Sequence, residues 1–167
     1  EICACLVGSE MCIRDRRNKY YPSVKISVLS NSTMIDRPAV AEALLKVDNN
    51  ILKLDSAVDA TMRLIDRPAN KVFTVEHVVG HLKKFRHQCI VQTMMVRGEH
   101  DGVRIDNTTD AEIQALLKAY LEIEPAEVML YSLDRPTPEQ RLQKVERDEL
   151  ERIAEVFRQK GIKVQVN

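Results

Sequence analysis

The chain has 167 residues, enough for one domain with a true core and short of two. Hydrophobic residues make up 44% of it, which argues against general disorder; Lys+Arg and Asp+Glu balance at 25 each, which removes any overall electrostatic case for nucleic acid or a membrane surface. No apolar run reaches membrane-spanning length and Ile2–Val7 lacks the length and basic flank of a signal peptide, so the expectation is a cytoplasmic protein with reduced thiols.

Residues 1–16 show no period, no turn chemistry and no face that could pack. Leu6–Asp15 resembles the conceptual translation of a transposase-type sequencing adapter. The expectation is a non-native segment over 1–16, with the domain proper over 17–167. Cys3, Cys5 and Cys12 are spaced C-x-C-x6-C, which is no usual zinc or iron–sulfur pattern. Cys89 stands alone in a predicted strand and reads as a buried free thiol.

Tyr20-Tyr21-Pro22 closes a lead-in. The first predicted strand is Val24–Ser30, short and β-branched, ending in the small polar run Ser30-Asn31-Ser32. Asp36-Arg37-Pro38 opens a helix, with Asp36 as expected N-cap, and Val40, Leu44 and Val47 recur at helical spacing. Strand two is Ile51–Asp55. Val58, Met62 and Ile65 mark a short helix that stops near Asp66-Arg67-Pro68. A further amphipathic helix spans Thr74–Phe85. His77 and His81 lie four apart in it, but with no third ligand nearby they read as helix surface.

Strand three is Gln88–Val96. Arg97–Thr108 reads as a long polar loop, and the capping box Thr109-x-x-Glu112 starts the next helix, with Ile113, Leu116, Leu117, Tyr120 and Leu121 on one stripe. Strand four is Glu127–Leu133. A charged helix spans Arg147–Lys160, capped by Gly161, and Ile162–Val166 is the last strand. Strands alternate with helices from the first strand to the last, which predicts an α/β fold with a parallel sheet. Asp-Arg-Pro occurs three times at uneven spacing, as cap chemistry rather than as a repeat.

Lys53 and Asp55 fall on one face of strand two. Burying unpaired charge is costly, so the pair points to a wet interior near a barrel mouth rather than to a flavodoxin-like sheet with helices on both faces; an edge strand with a wet face is the alternative. Lys25, Ser27 and Asn31, Gln92 and Tyr131 offer compatible groups, and Ser32, Ser56, Arg97 and Ser132 sit at strand ends. No Ser-His-Asp set, carboxylate pair or phosphate-cradling loop is legible. The residues alone indicate a polar pocket for a ligand or cofactor.

Five segments add to this. Leu29-Ser-Asn-Ser-Thr33, Val47-Asp-Asn-Asn-Ile-Leu-Lys-Leu-Asp-Ser56, Gln92-Thr-Met-Met-Val-Arg-Gly98, Asp106-Asn-Thr-Thr109 and Tyr131-Ser-Leu-Asp-Arg-Pro136 together resemble the later strands of a radical S-adenosylmethionine (radical SAM) protein. In particular they resemble iron–sulfur oxidoreductases similar to the wyosine tRNA-modification enzymes. The resemblance covers Asn18 to Asn167.

It implies a partial (β/α) TIM-like barrel, truncated at its N-terminus, and chemistry from a [4Fe–4S] cluster that cleaves S-adenosylmethionine to a 5′-deoxyadenosyl radical. The family holds its cluster on a C-x3-C-x2-C loop and the methionine amino group with a Gly-Gly-Glu/Asn-Gly-Glu-Pro motif. Neither motif occurs in this sequence; both would lie upstream of Tyr20, so the implied state is a fragment without cluster ligands and without activity of its own.

The resemblance further places Asn31 and Ser32 at the end of the third barrel strand, and Asp55 and Ser56, with Lys53, at the end of the fourth, near the cofactor's ribose or carboxylate. Gln92 and Thr93 fall on the fifth and Tyr131 on the sixth, near substrate or adenine. It implies an electron donor such as flavodoxin or ferredoxin, and a tRNA, peptide or small-molecule substrate. The competing expectation is an α/β nucleotide- or peptide-binding module without redox chemistry.

Overall fold

The computed structural model describes residues 12–69, 73–135 and 137–167. Residues 12–20 form helix α1, which ends at Tyr20, before the expected lead-in turn. Most of the adapter-like stretch, up to residue 11, lies outside the described residues. Arg17 anchors the end of α1, donating to the Val24 carbonyl at 2.9 Å and pairing with Asp48 at 3.1 Å.

Strands β1 (Ser27–Ser30), β2 (Asn49–Lys53), β3 (Ile90–Met94), β6 (Glu127–Tyr131) and β8 (Val164–Val166) form one sheet in the order β1-β2-β3-β6-β8, and every pairing is parallel. Each crossover therefore steps in the same direction along the sheet. With right-handed crossovers, that order puts the connecting helices on one face, whereas a doubly wound sheet reverses direction and is covered on both.

The core bears this out. Leu52, Leu54, Val91, Val128, Leu130, Val164 and Val166 pack from alternate strand positions against α2 (Pro38–Leu45), α4 (Val75–Leu82), α5 (Asp110–Ile123) and α6 (Arg147–Arg158). On the other face, Lys53, Gln92, Met129 and Gln165 stand in one register row and Met94 and Tyr131 in the next; none of them belongs to that core. Leu29, on this face at the β1 edge, is 65% exposed. The five strands make an open sheet with β1 and β8 as edges, short of the eight or so strands a closed barrel needs.

Several local expectations change. Val24 and Lys25 precede the ladder, which starts where Ser27 pairs with Asn49. At α2 the cap position is Arg37, extended and without a side-chain cap bond, and Pro38 opens the helix; Asp36 is one residue too early. The capping box of α5 is half made: Thr109 Oγ1 accepts from the Glu112 amide, but the Glu112 carboxylate accepts from Ser56 Oγ at 2.6 Å instead of turning back to Thr109. Helix α6 ends at Arg158, and the chain leaves through Gly161 at φ 81°, a left-handed turn.

The largest change is in the expected loop over Arg97–Thr108. It is a hairpin of β4 (Val96–His100) and β5 (Val103–Asp106), and β7 (Leu142–Lys144) joins it in an antiparallel sheet of order β5-β4-β7. Its outer face alternates charges: Glu99 lies across from Arg104 and pairs with Arg141, and Arg97 lies across from Asp106 and pairs with Glu149. Its inner face, with Val96, Ile105 and Leu142, looks toward α3 (Asp59–Asp66). No helix among the described residues is long and apolar enough to cross a membrane.

Candidate functional site

The uncovered sheet face carries charge where β2, β3 and β6 end. Lys53 Nζ lies 2.8 Å from Asp55 Oδ2, an ion contact without the alignment of a hydrogen bond. The other Asp55 oxygen accepts from the Met94 amide at 2.7 Å, which pins the carboxylate across the gap between β2 and β3. Asp55 is fully buried, so its charge requires these partners. The Lys53 ammonium is the answer: burial works against its charge, but the Asp55 carboxylate outweighs that and raises its pKa. Tyr131 is close enough to feel both; burial and Asp55 raise its hydroxyl while Lys53 pulls it down.

A fourth ionisable group comes from outside the sheet. Asp66, the last residue of α3, lies close enough to feel the charges of Asp55 and Lys53. Burial first, and then the neighbouring Asp55 charge, push its carboxyl up to about 7, with Lys53 opposing. The residue as a whole is exposed at the rim, so water tempers this shift without reversing its sign. Sequence reasoning read Asp66 as a helix stop. Its signal was Asp-Arg-Pro itself, which holds the α3 terminus: Arg67 caps the helix in the left-handed region at φ 45°.

Of the residues expected at a site, Lys53, Asp55, Gln92 and Tyr131 are brought together on the open face. Gln92 stands beside Lys53 in the ladder and its amide reaches the Met129 sulfur at 3.7 Å. Asn31 sits at the exposed end of β1, where its Oδ1 accepts from the Thr33 amide at 3.2 Å and from the Thr33 hydroxyl at 2.7 Å. Ser32 follows in the left-handed region (φ 62°), with its hydroxyl buried and without a partner among the described residues.

Ser56 and Thr93 are turned the other way, into the helix-covered side. Ser56 Oγ donates to Glu112, and Thr93 Oγ1 donates to the Leu54 carbonyl at 2.7 Å beside the Tyr120 hydroxyl at 2.6 Å. The cause is strand parity: Thr93 follows Gln92, so the two cannot share a face. Ser132 is likewise structural, donating to the Met95 carbonyl and accepting from the Val145 amide. Asn107 does the same work at the centre: it donates to the carbonyls of Asp55 and Met94, both at 2.7 Å, and accepts from the Val96 amide.

The described residues do not fit an iron–sulfur cluster. Their free cysteines are Cys12, exposed on α1, and Cys89, buried, whose thiol is pushed up to about 12 by burial. No group of three His, Cys, Asp or Glu side chains converges on a metal-sized space among them. Cys3 and Cys5 lie outside the described residues. His77 and His81 stack with ring centroids 4.5 Å apart on α4.

No family model matches the chain, and no curated protein does. Solved structures do. The fold is similar to a domain of pyruvate-formate lyase-activating enzyme from Bacteroides vulgatus, with a TM-score of 0.65 and 11% identity over 97% of this chain and 92% of that one. It is similar to a radical SAM methyltransferase from Sphaerobacter thermophilus, with a TM-score of 0.53 and 19% identity over 85% of this chain and 40% of that one. It is also similar to Streptococcus suis SuiB bound to S-adenosylmethionine, with a TM-score of 0.60 and 12% identity over 86% of this chain and 33% of that one. The chain thus spans nearly all of the first and well under half of the other two. At these identities the likeness is one of fold.

Proposed function

We propose that the chain is the C-terminal part of a radical SAM enzyme, with the uncovered sheet face as the inner wall of a partial (β/α) barrel. The observation that carries this is the strand order β1-β2-β3-β6-β8, which among the described residues leaves one face outside the helix-packed core and gathers Lys53, Asp55, Gln92 and Tyr131 on it. The fold likeness to a radical SAM methyltransferase and to SuiB bound to S-adenosylmethionine supports the reading. The five sequence segments support the nearer affinity to iron–sulfur oxidoreductases of the wyosine type.

In that reading Asn31, Ser32, Lys53, Asp55, Gln92 and Tyr131 face S-adenosylmethionine or substrate. A carboxylate held by a backbone amide and a lysine, as Asp55 is, can accept from a hydroxyl or an ammonium without moving. Ser56 and Thr93 act behind the sheet, fixing the strand ends to α5. S-adenosylmethionine held against this face would supply the radical chemistry, with Asn31, Lys53, Asp55, Gln92 and Tyr131 holding and orienting it. The described residues supply binding and orientation only, and the cluster's ligands belong to sequence outside them. Residues 1–16 are in this reading adapter-derived, the electron donor is a flavodoxin or ferredoxin, and the compartment is the cytoplasm.

Sequence of the gene on the 5′ side of the Tyr20 codon, from independent reads, tests the proposal. The expected result is an in-frame C-x3-C-x2-C motif in place of the Leu6–Asp15 coding stretch. Native sequence running through that stretch with no such motif upstream would overturn it and leave the α/β binding module.

A further inference from the structure

Two cavities beside the tip of the β4–β5 hairpin share one side-chain contact. The inner one, of about 230 Å³, lies between the antiparallel sheet and the end of α3, with the buried Val96 and Ile105 among its walls. The outer one, of about 520 Å³, runs past the exposed Gly102 and Gln140. His100 and Glu139 are the two residues that line both. His100 Nδ1 lies 2.7 Å from Glu139 Oε2, so their contact is the partition between the two spaces.

The imidazole is held in a way that suits one of its charge states. Nδ1 faces Glu139, and Nε2 lies 3.0 Å from Asp101 Oδ2. A neutral imidazole has one N–H, so whichever nitrogen lacks it turns a lone pair on a carboxylate; the imidazolium has a proton for each. Nδ1 is buried and its contact lacks the alignment of a hydrogen bond, so charge is what holds it. Asp101 is 86% exposed and its half of the grip is screened by water, which leaves Glu139 as the stronger partner.

The other charges nearby pair elsewhere. On the hairpin itself Glu99 meets Arg141 of the facing segment, and Arg104 meets Asp106. Lys144 of β7 is 3.9 Å from Asp134. From the end of α3, Arg67 approaches the second Glu139 oxygen, Oε1, at 3.7 Å, with Asp66 next to it in the chain. The Glu139 main chain is fixed, because its carbonyl accepts from the Thr137 hydroxyl at 2.9 Å and from the Leu142 amide at 3.3 Å.

We infer that His100 and Glu139 form a proton-operated gate between the inner cleft and the surface, shut while the imidazole is charged and open when it is neutral. Once the imidazole is neutral, Glu139 keeps Arg67 as its partner; its side chain turns away and its main chain stays.

The test follows the His100 ring resonances and the Val96 and Ile105 methyl resonances of the 167-residue chain between about pH 5 and 9, with the neutral nitroxide TEMPOL as a soluble relaxation agent. The expected result is a rise of at least about threefold in the agent's effect on these methyls, with the same midpoint as the imidazole. The fully buried core methyls of Leu116 and Leu130 should not change. Glu139→Gln should hold the cleft methyls at the high value at every pH. Asp66, raised to about 7, titrates in the same window, but Glu139→Gln leaves it in place. A pH-dependent rise that survives in that variant therefore belongs to Asp66 and overturns the inference. So does a parent whose cleft methyls stay protected through the imidazole titration, or lose protection as pH falls. The parent titration needs no variant, so a variant that fails to fold does not blunt the test.

Discussion

Asp55 follows two residues after Lys53, the last residue of β2, and their side chains meet at 2.8 Å on the sheet face that no helix among the described residues covers. A fully buried carboxylate thus depends on a lysine that is itself less than one-third exposed. Removing one member of such a pair leaves an unsolvated charge. Lys53→Met should lower stability by about 3 kcal/mol, while Lys53→Met with Asp55→Asn should recover most of the loss, since the amide oxygen still accepts from Met94. Urea unfolding of the single and double variants measures both, and a neutral Lys53→Met would contradict the pairing.

The pH profile should carry the mark of Asp66. Its folded pKa is raised to about 7 from an ordinary 3.8, so between those values the folded state holds a proton that the unfolded state has lost. Stability then falls as pH rises through this window, and the penalty is complete above about 7. Asp66→Asn should flatten that slope and be more stable than the parent at mildly alkaline pH. Urea midpoints taken across the window decide it, and the same slope in parent and variant would refute the assignment.

Gly98 is where the third antiparallel strand is most easily lost. It sits at φ 139°, and a Cβ there would lie 2.3 Å from the Arg141 carbonyl oxygen and 2.8 Å from the Leu142 Cα, both backbone atoms that cannot swing aside. Gly98→Ala should cost about 2–3 kcal/mol and unprotect the amides that pair β4 with β7. Gly102, at φ 76°, has open space around it, so Gly102→Ala should cost only the left-handed penalty of about 1 kcal/mol. Hydrogen exchange on the two variants separates a lost strand from a strained turn.

Among the described residues, strand β1 has a strand partner on one side only, and Leu29 lies beside the open edge. Such an edge invites pairing with a second copy. At concentrations on the order of tens of micromolar the chain should sediment as more than a monomer, and Leu29→Lys should shift it toward monomer. A monomer without the substitution would show that the edge is covered.

Anaerobic incubation with iron and sulfide should yield no stable [4Fe–4S] cluster. Three thiolates are needed; among the described residues there are only Cys89, buried with its thiol pushed up to about 12, and Cys12, exposed on a helix. A stoichiometric cluster by absorption and spin resonance would show that Cys3 and Cys5 ligate it with Cys12.

Much of the parallel sheet was legible because a strand covered by helices is a nearly unbroken apolar run, as at Ile90-Val91, or alternates cleanly, as at Ile51–Asp55. The Val96–Asp106 hairpin was not, because its outer face is charged. Arg97 and Glu99 pair with Glu149 and Arg141, and Arg104 pairs with Asp106 along β5, a pattern of alternating charge that in one dimension looks like a solvated loop. Three-residue β7 has too little length to show a period. At the site, Lys53 and Asp55 followed from strand parity, and the same parity separates Thr93 from Gln92. Asp66 was hidden because its role arises from where α3 ends in space, which the spacing of residues along the chain does not encode.

The unreversed strand order has a consequence for how the chain is made. Each strand of the parallel sheet docks on the parallel-sheet strand synthesised before it, with β4 and β5 intervening before β6 and β7 before β8, so pairing can proceed in the direction of translation. The first interruption is the hairpin β4–β5, whose two strands pair within their own span. A polypeptide built this way adds each parallel strand at one side of the sheet.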